Sequence, residues 1–389
     1  PAGRRVVARA IEEHYRASGE SDFRCRQFID YREMLASDNT DIDAVLCATP
    51  DHLHANVSID SMNSGKHVYC EKPLAHSVEE ARLVADVARD TGLASQLGNQ
   101  GHSRDTIRQT CEWIWAGAIG KVNEVHAWVP ATRWNQDLIH PPTTTMDLPA
   151  GLDWDLWCGP RARIGFHQAY APVAWRDFWA FGCGAMGDFG CHDLDSAHWA
   201  LDLSAPTTVQ MQAAGQTDPA MTPYGEIGLF EFENAMINGK DGARGPVKIH
   251  WYSGGLHPLR PSELPRGESL PGRGVMFVGE EGILVCQGAG GQARLYPESR
   301  RKEFEEPEPS IKRVAGHHRD WIDAIKGGDP ASSHFQYGAK LTETTLLGLV
   351  ALRTGEKIRY DEAKMKVTSS EAADKLLRNN YRSGWQLKR

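Results

Sequence analysis

Residues 41–100 read DIDAVLCATPDHLHANVSIDSMNSGKHVYCEKPLAHSVEEARLVADVARDTGLASQLGNQ, and this stretch decides the fold. DAVLCATP (43–50) is a continuous apolar run without alternation, the pattern of a parallel strand covered on both faces. Ala55 to Ser64 follows as a helix, KHVYCEKP (66–73) as a second strand, and Ser77 to Thr91 as a helix opened by a Ser-x-x-Glu capping box, Ser77 to Glu80. LASQLGNQ (93–100) supplies a third strand. Strands alternating with helices predict a doubly wound parallel sheet, whose ligand crevice lies beyond the carboxyl ends of the strands.

Downstream the texture changes. A helix over 104–116 leads into VHAWVPATRW (125–134), TTVQMQAAG (207–215), GEIGLFEFEN (225–234), VKIHWYSG (247–254), GVMFVG (274–279) and GILVCQG (282–288), which alternate as antiparallel strands do. Gly279-Glu280-Glu281-Gly282 supplies a hairpin turn, and helices over about 315–326 and 338–353 close the body. The expected division is 1–124 as an incomplete nucleotide-binding domain and 125–389 as an α+β domain with a large, open, mostly antiparallel sheet. Upstream, Val6, Val7, Ile11 and Tyr15 fall at helical spacing with no apolar run ahead of them. We therefore expect a chain whose first strand, and any targeting signal, lie before Pro1; a cytoplasmic and a periplasmic location stay equally open.

Composition narrows the functions. With 389 residues about two domains are expected. The 43 Lys+Arg against 51 Asp+Glu give a net charge of −8, which speaks against nucleic acid as the main partner. No apolar run approaches the roughly 20 residues that cross a bilayer, so no membrane partner is expected. Eight cysteines without a C-x-x-C pair indicate scattered thiols rather than a zinc knuckle or a disulfide framework.

Four motifs carry chemistry or its imitation. Gly182-Cys183-Gly184-Ala185-Met186-Gly187 spells a dinucleotide fingerprint, but WRDFWAF before it is no buried strand and Asp202 comes too early, so a glycine-rich turn entering a helix is expected instead. Thr49-Pro50-Asp51-His52-Leu53-His54 and Cys70-Glu71-Lys72-Pro73 end adjacent strands, where an α/β sheet binds ligands. Their plainer readings are a polar helix cap and a surface ion pair. GDFGCHDLDSAHWALDL (187–203) places Asp188, His192 and Asp195 at i, i+4 and i+7, hence on one helix face. A metal held by Asp188 and His192 would need a third ligand that the spacing does not identify, so no metal is assigned.

Taken together, ATPDHLHA, CEKPLAHS, GAMGDFGCHDLD and LTETTLLGLVALRTGEKIRYD resemble the Gfo/Idh/MocA family, the relatives of glucose-fructose oxidoreductase and inositol dehydrogenase, from about Phe28 onward. The resemblance implies a Rossmann domain followed by an α/β domain with a large sheet, NAD or NADP as cofactor, and a carbohydrate substrate. It also implies association of copies through the large sheet. Thr49, Pro50 and His54 would line the cofactor crevice, with Glu71 and Lys72 beside the nicotinamide and the Lys72–Pro73 bond often cis. Asn99 and Gln100 would end the next strand, and Trp175-Arg176 would approach cofactor and substrate. PAGRR looks like text that follows the acidic residue of the family's second strand, so the glycine-rich phosphate turn is not in this sequence. The implied reaction takes a hydride from carbon and a proton from the hydroxyl of a sugar, polyol or sugar derivative. His192, near the reference pKa of about 6.5, is the expected base, Lys72 the hydrogen-bond donor to the same oxygen, and Asp188 the group that orients substrate or stabilises protonated His192. Some relatives are NAD-dependent α-N-acetylgalactosaminidases, and these residues serve that reading equally; a chain that binds without catalysing is the third.

Overall fold

The computed structural model describes residues 2–37, 41–237, 239 and 242–389. Its first layer holds helices α1 (Ala2–Ala17) and α2 (Tyr31–Ala36), strand β1 (Ala44–Cys47), α3 (His54–Asn63), β2 (His67–Glu71), α4 (Val78–Thr91), β3 (Ser95–Gly98) and α5 (Asp105–Trp115). β1, β2 and β3 form a parallel sheet in sequence order. The capping box of α4 is present in full, and Gly92 ends that helix in the left-handed conformation. β1 departs from the expectation of cover on both faces. Among the described residues it pairs with β2 alone, and Leu46 stands 53% exposed. On α1, Val6 and Val7 likewise point outward, while Ala8 is buried and Tyr15 stacks on Phe23.

The second layer is a nine-stranded sheet in the order β10-β9-β8-β4-β7-β6-β5-β11-β12. Its strands are β4 (Val122–Trp128), β5 (Thr208–Ala214), β6 (Gly225–Met236), β7 (Arg244–Tyr252), β8 (Gly274–Gly279), β9 (Ile283–Gln287), β10 (Ala293–Tyr296), β11 (Ile358–Asp361) and β12 (Lys366–Val367). Every pairing is antiparallel except β4 with β7, which run parallel; alternation within a strand carries no information about its neighbour's direction. The hairpin at 279–282 forms as expected, with Gly279 N–H donating to the Gly282 carbonyl at 2.9 Å. β10, β11 and β12, at four, four and two residues, were too short to show a period.

Between the layers and around them lie α6 (Trp154–Cys158), α7 (Gly184–Asp193), α8 (Asp195–Ala200), α9 (Glu298–Glu303), α10 (His317–Ile325), α11 (Phe335–Thr354) and α12 (Glu371–Lys375). α11 packs on α4 and β3 of the first layer and on α7 and β5 of the second, which is why its apolar residues occupy every face. Two of its glycines permit this. A Cβ on Gly338 would lie 3.0 Å from Leu97, and one on Gly348 2.9 Å from Phe230. The segment after α12 returns across the first layer. Tyr381 donates to Glu80 at 2.6 Å, Arg382 to the Gly159 carbonyl at 2.6 Å, Asn56 to the Trp385 carbonyl at 2.9 Å and Asn63 to the Lys388 carbonyl at 3.0 Å. Among the described residues no helix is long and apolar enough to cross a membrane.

Candidate active site

At the carboxyl ends of β1 and β2 opens a cleft of about 710 Å³. One wall is the strand-end pair Thr49-Pro50-Asp51 and Glu71-Lys72 with His54; the other is Leu152, Trp157, Phe166, Trp175 and Arg176. The sequence motifs at 49–54, 70–73 and 175–176 thus meet around one space, as parallel strands that each end at the same edge require. The Lys72–Pro73 bond is cis.

Lys72 crosses from the first layer to α7. Its Nζ donates to the Asp188 backbone carbonyl at 2.8 Å and to the Asp188 carboxylate, and the second carboxylate oxygen lies 3.5 Å from Arg176 Nε. Burial works against the charged carboxylate, but Lys72 and Arg176 outweigh it and hold Asp188 below the usual range. Arg176 in turn lies 4.2 Å over the Trp175 ring.

His192 stands one turn along α7 from Asp188, and among the described residues its buried Nδ1 meets no partner. The reference pKa of 6.5 expected for it does not hold. Burial first, then the positive charges of Lys72 and Arg273, bring it down to about 3, so the ring is neutral at pH 7. Nor does Asp195 share its face. The helix breaks at Leu194 between α7 and α8, and Asp195 turns to buried His102 at 2.9 Å and to the Tyr337 hydroxyl at 2.5 Å. The turn at 182–187 enters α7 through Gly184 with φ 56°, and the element directly before it is a 3-10 turn over Ala174–Asp177.

The remaining expected cofactor residues serve the walls from behind. Gln100 Nε2 donates to Glu71 Oε1 at 3.0 Å and to the Tyr69 hydroxyl at 2.9 Å, fixing the Glu71 carboxylate. Asn99 is fully buried, its Oδ1 accepting from Ser333 at 2.6 Å, and neither residue lines the cleft. His54 is also buried, with each ring nitrogen 2.7 Å from a backbone carbonyl, Thr49 and Pro73. Two features, one in the cleft and one behind it, were not assigned from sequence. Asp51, quoted within its motif but given no role, lines the wall, accepts from Cys183 N–H at 3.0 Å, and is raised to about 6 chiefly by burial. The Asp193–Arg273 pair, Oδ2 to Nη2 at 2.6 Å, anchors α7 beside His192 to the large sheet; partners 80 positions apart leave no local signal. Among the described residues two clusters have metal-ligand chemistry, Cys47–His54–Cys70 and Glu124–His126–His250, and neither contains Asp188 or His192.

Residues 5–99 match the family described as an oxidoreductase family with an NAD-binding Rossmann fold, and residues 128–249 match its C-terminal α/β domain. A 1,5-anhydro-D-fructose reductase of Ensifer adhaerens is 39% identical over 203 residues, covering 51% of this chain and 49% of that protein. A levoglucosan dehydrogenase of Pseudarthrobacter phenanthrenivorans is 25% identical over 221 residues, 57% of this chain and 46% of that protein. The chain therefore spans about half the length of these relatives in the match. A solved WlbA dehydrogenase of Bordetella pertussis, in complex with NADH and UDP-GlcNAcA, shares the fold at a TM-score of 0.59 with 18% identity over 89% of this chain and 86% of that one. Two parallel-strand ends facing an α7 that carries Asp-x-x-x-His, matched in both halves of the sequence, make this chain a member of the Gfo/Idh/MocA oxidoreductase family.

Proposed function

We propose that the protein is an NAD(P)-dependent oxidoreductase that moves a hydride between a nicotinamide and a hydroxyl-bearing carbon of a sugar, polyol or sugar derivative. The observation that carries this is the meeting of Lys72, Asp188 and Arg176 at the cleft, with neutral His192 one helical turn away. The cleft fits a flat cofactor ring, since it opens at strand ends and offers Trp157, Phe166 and Trp175 opposite Glu71 and Lys72. A bound nicotinamide supplies the two-electron acceptor or donor. Lys72 donates a hydrogen bond to the reacting oxygen, Asp188 positions the Lys72 ammonium, and the neutral His192 ring accepts the hydroxyl proton. Residues 1–124 form the nucleotide half and 125–389 the substrate half. Copies associate through the open face of the large sheet, where Ile227 is 42% exposed in register with Tyr252 and two residues from the Leu229–His250 pair.

Calorimetric titration with NAD+ and NADP+, followed by a panel of free sugars and of chromogenic glycosides, tests the reading. Saturable cofactor binding and net NAD(P)H from a free sugar are expected. Aglycone release without net NAD(P)H would replace it with the redox glycosidase, and absence of binding with either cofactor would overturn it.

A further inference from the structure

Beneath the cleft wall, Cys47 ends β1 and Cys70 lies in β2, and the two are direct register partners. In-register residues of neighbouring parallel strands project to the same face, and a strand spacing of about 4.8 Å falls inside the Cα separation a disulfide accepts. The two Sγ atoms and a ring nitrogen of His54 lie within 4.8 Å of one another, at 2% and 0% exposure for the cysteines. His54 decides what this cluster is. Its two nitrogens each sit 2.7 Å from a carbonyl oxygen, which only accepts, so pairing both requires a hydrogen on each, and the Cys47 and Asp51 charges beside the ring favour that imidazolium. A metal would have to take one of those nitrogens away. A buried cation instead needs an anion, and the groups facing it are the Cys47 sulfur and the Asp51 carboxyl.

We infer that Cys47 and Cys70 are an oxidation site, in which hydroperoxides convert a Cys47 thiolate, paired with the His54 imidazolium, into a Cys47–Cys70 disulfide. The Cys70 thiol, the His54 charge and the Thr49 hydroxyl at 3.4 Å lower the Cys47 pKa, whereas burial pushes Cys70 well up, so one sulfur attacks and the other waits protonated. The Cys47 thiolate attacks hydrogen peroxide, an S–O bond forms as the O–O bond breaks, and His54 gives its proton to the departing hydroxide. The Cys70 thiol then attacks the sulfenic sulfur, an S–S bond forms, and the displaced hydroxide leaves as water with the Cys70 proton. Two waters and a neutral His54 result. His54 then keeps one N–H for two carbonyls, so either Thr49 or Pro73 at the cleft wall loses its donor.

The test exposes the native chain to hydrogen peroxide, blocks remaining thiols in denaturant, and maps peptides by mass. Expected is a dithiol-reversible Cys47–Cys70 link, formed about tenfold or more faster than oxidation of Cys111 and Cys286, which are equally buried but raised in pKa with no imidazolium beside them. Cys70→Ser should leave a Cys47 sulfenic acid that a 1,3-diketone traps, and Cys47→Ser should leave Cys70 unmodified. In the unsubstituted chain, nitrogen NMR of His54 should show two protonated ring nitrogens before oxidation and one after. Recovery of both thiols free, linkage to another cysteine, or a single protonated nitrogen in the reduced protein overturns the inference; none of these depends on the reaction proposed above.

Discussion

Asp188 holds two cations on one carboxylate, and that arrangement fixes where Lys72 points. Replacing Lys72 or His192 by Ala should lower turnover about a hundredfold or more once the substrate is known, and near-normal rates in both would refute their roles. The pH profile is a sharper test of His192. A histidine brought down to about 3 stays in its proton-accepting form from pH 8 down to about pH 4, so the acid limb of kcat/KM for oxidation should lie well below 6.5. A limb at 6.5 that vanishes in His192→Ala would contradict the burial argument. The meeting of Lys72 with the helix that carries Asp188 and His192 was legible because their motifs sit at a strand end and at i, i+4. The depressed pKa of His192 was not, because Arg273, which contributes to it, comes from a different layer and the burial depends on packing that no local spacing encodes.

Elements with a start signal or a long period were readable, and those defined by their neighbours were not. α4 announces itself through Ser77 and Glu80, whose reciprocal bonds form, and Glu80 further accepts from Asn379 and Tyr381. Ser77→Ala should therefore cost about 1–2 kcal/mol, measured as a shift of the urea midpoint with unchanged slope. The outward face of β1, the break between α7 and α8 and the parallel pairing of β4 with β7 escaped the sequence for one reason. Each is set by what lies alongside, and an apolar run such as AVLC reads the same whether one face or two are covered. Gly101 makes the same point within the turn after β3, since a Cβ there would come 2.3 Å from the Ala289 carbonyl oxygen. Gly101→Ala should destabilise by about 1–3 kcal/mol through backbone displacement.

Across the whole molecule, buried histidines set the acid limit of stability. His52, His198 and His317 are each brought down to about 4 by burial. The unfolded chain takes up protons there that the folded one refuses, so stability held above about pH 6.5 is lost as pH falls toward 4. Glu226 acts in the opposite direction. Burial raises it to about 7, so its contribution is present below about pH 4.5 and is lost as pH rises through 7. Glu226→Gln removes that loss, and its stability relative to the unsubstituted protein should rise by on the order of 3 kcal/mol between pH 4.5 and 8, read from guanidinium unfolding at both ends; a constant difference would refute it. The returning segment after α12 bears on how such losses spread. Trp385 and Asn56 are 329 positions apart yet share a hydrogen bond, and Arg382 clasps the turn at Gly159. The polypeptide is thereby buckled like a belt, so a protease nick behind Asn380 would slacken α3, whose Asn56 and Asn63 hold the tail, as well as the residues beside the cut.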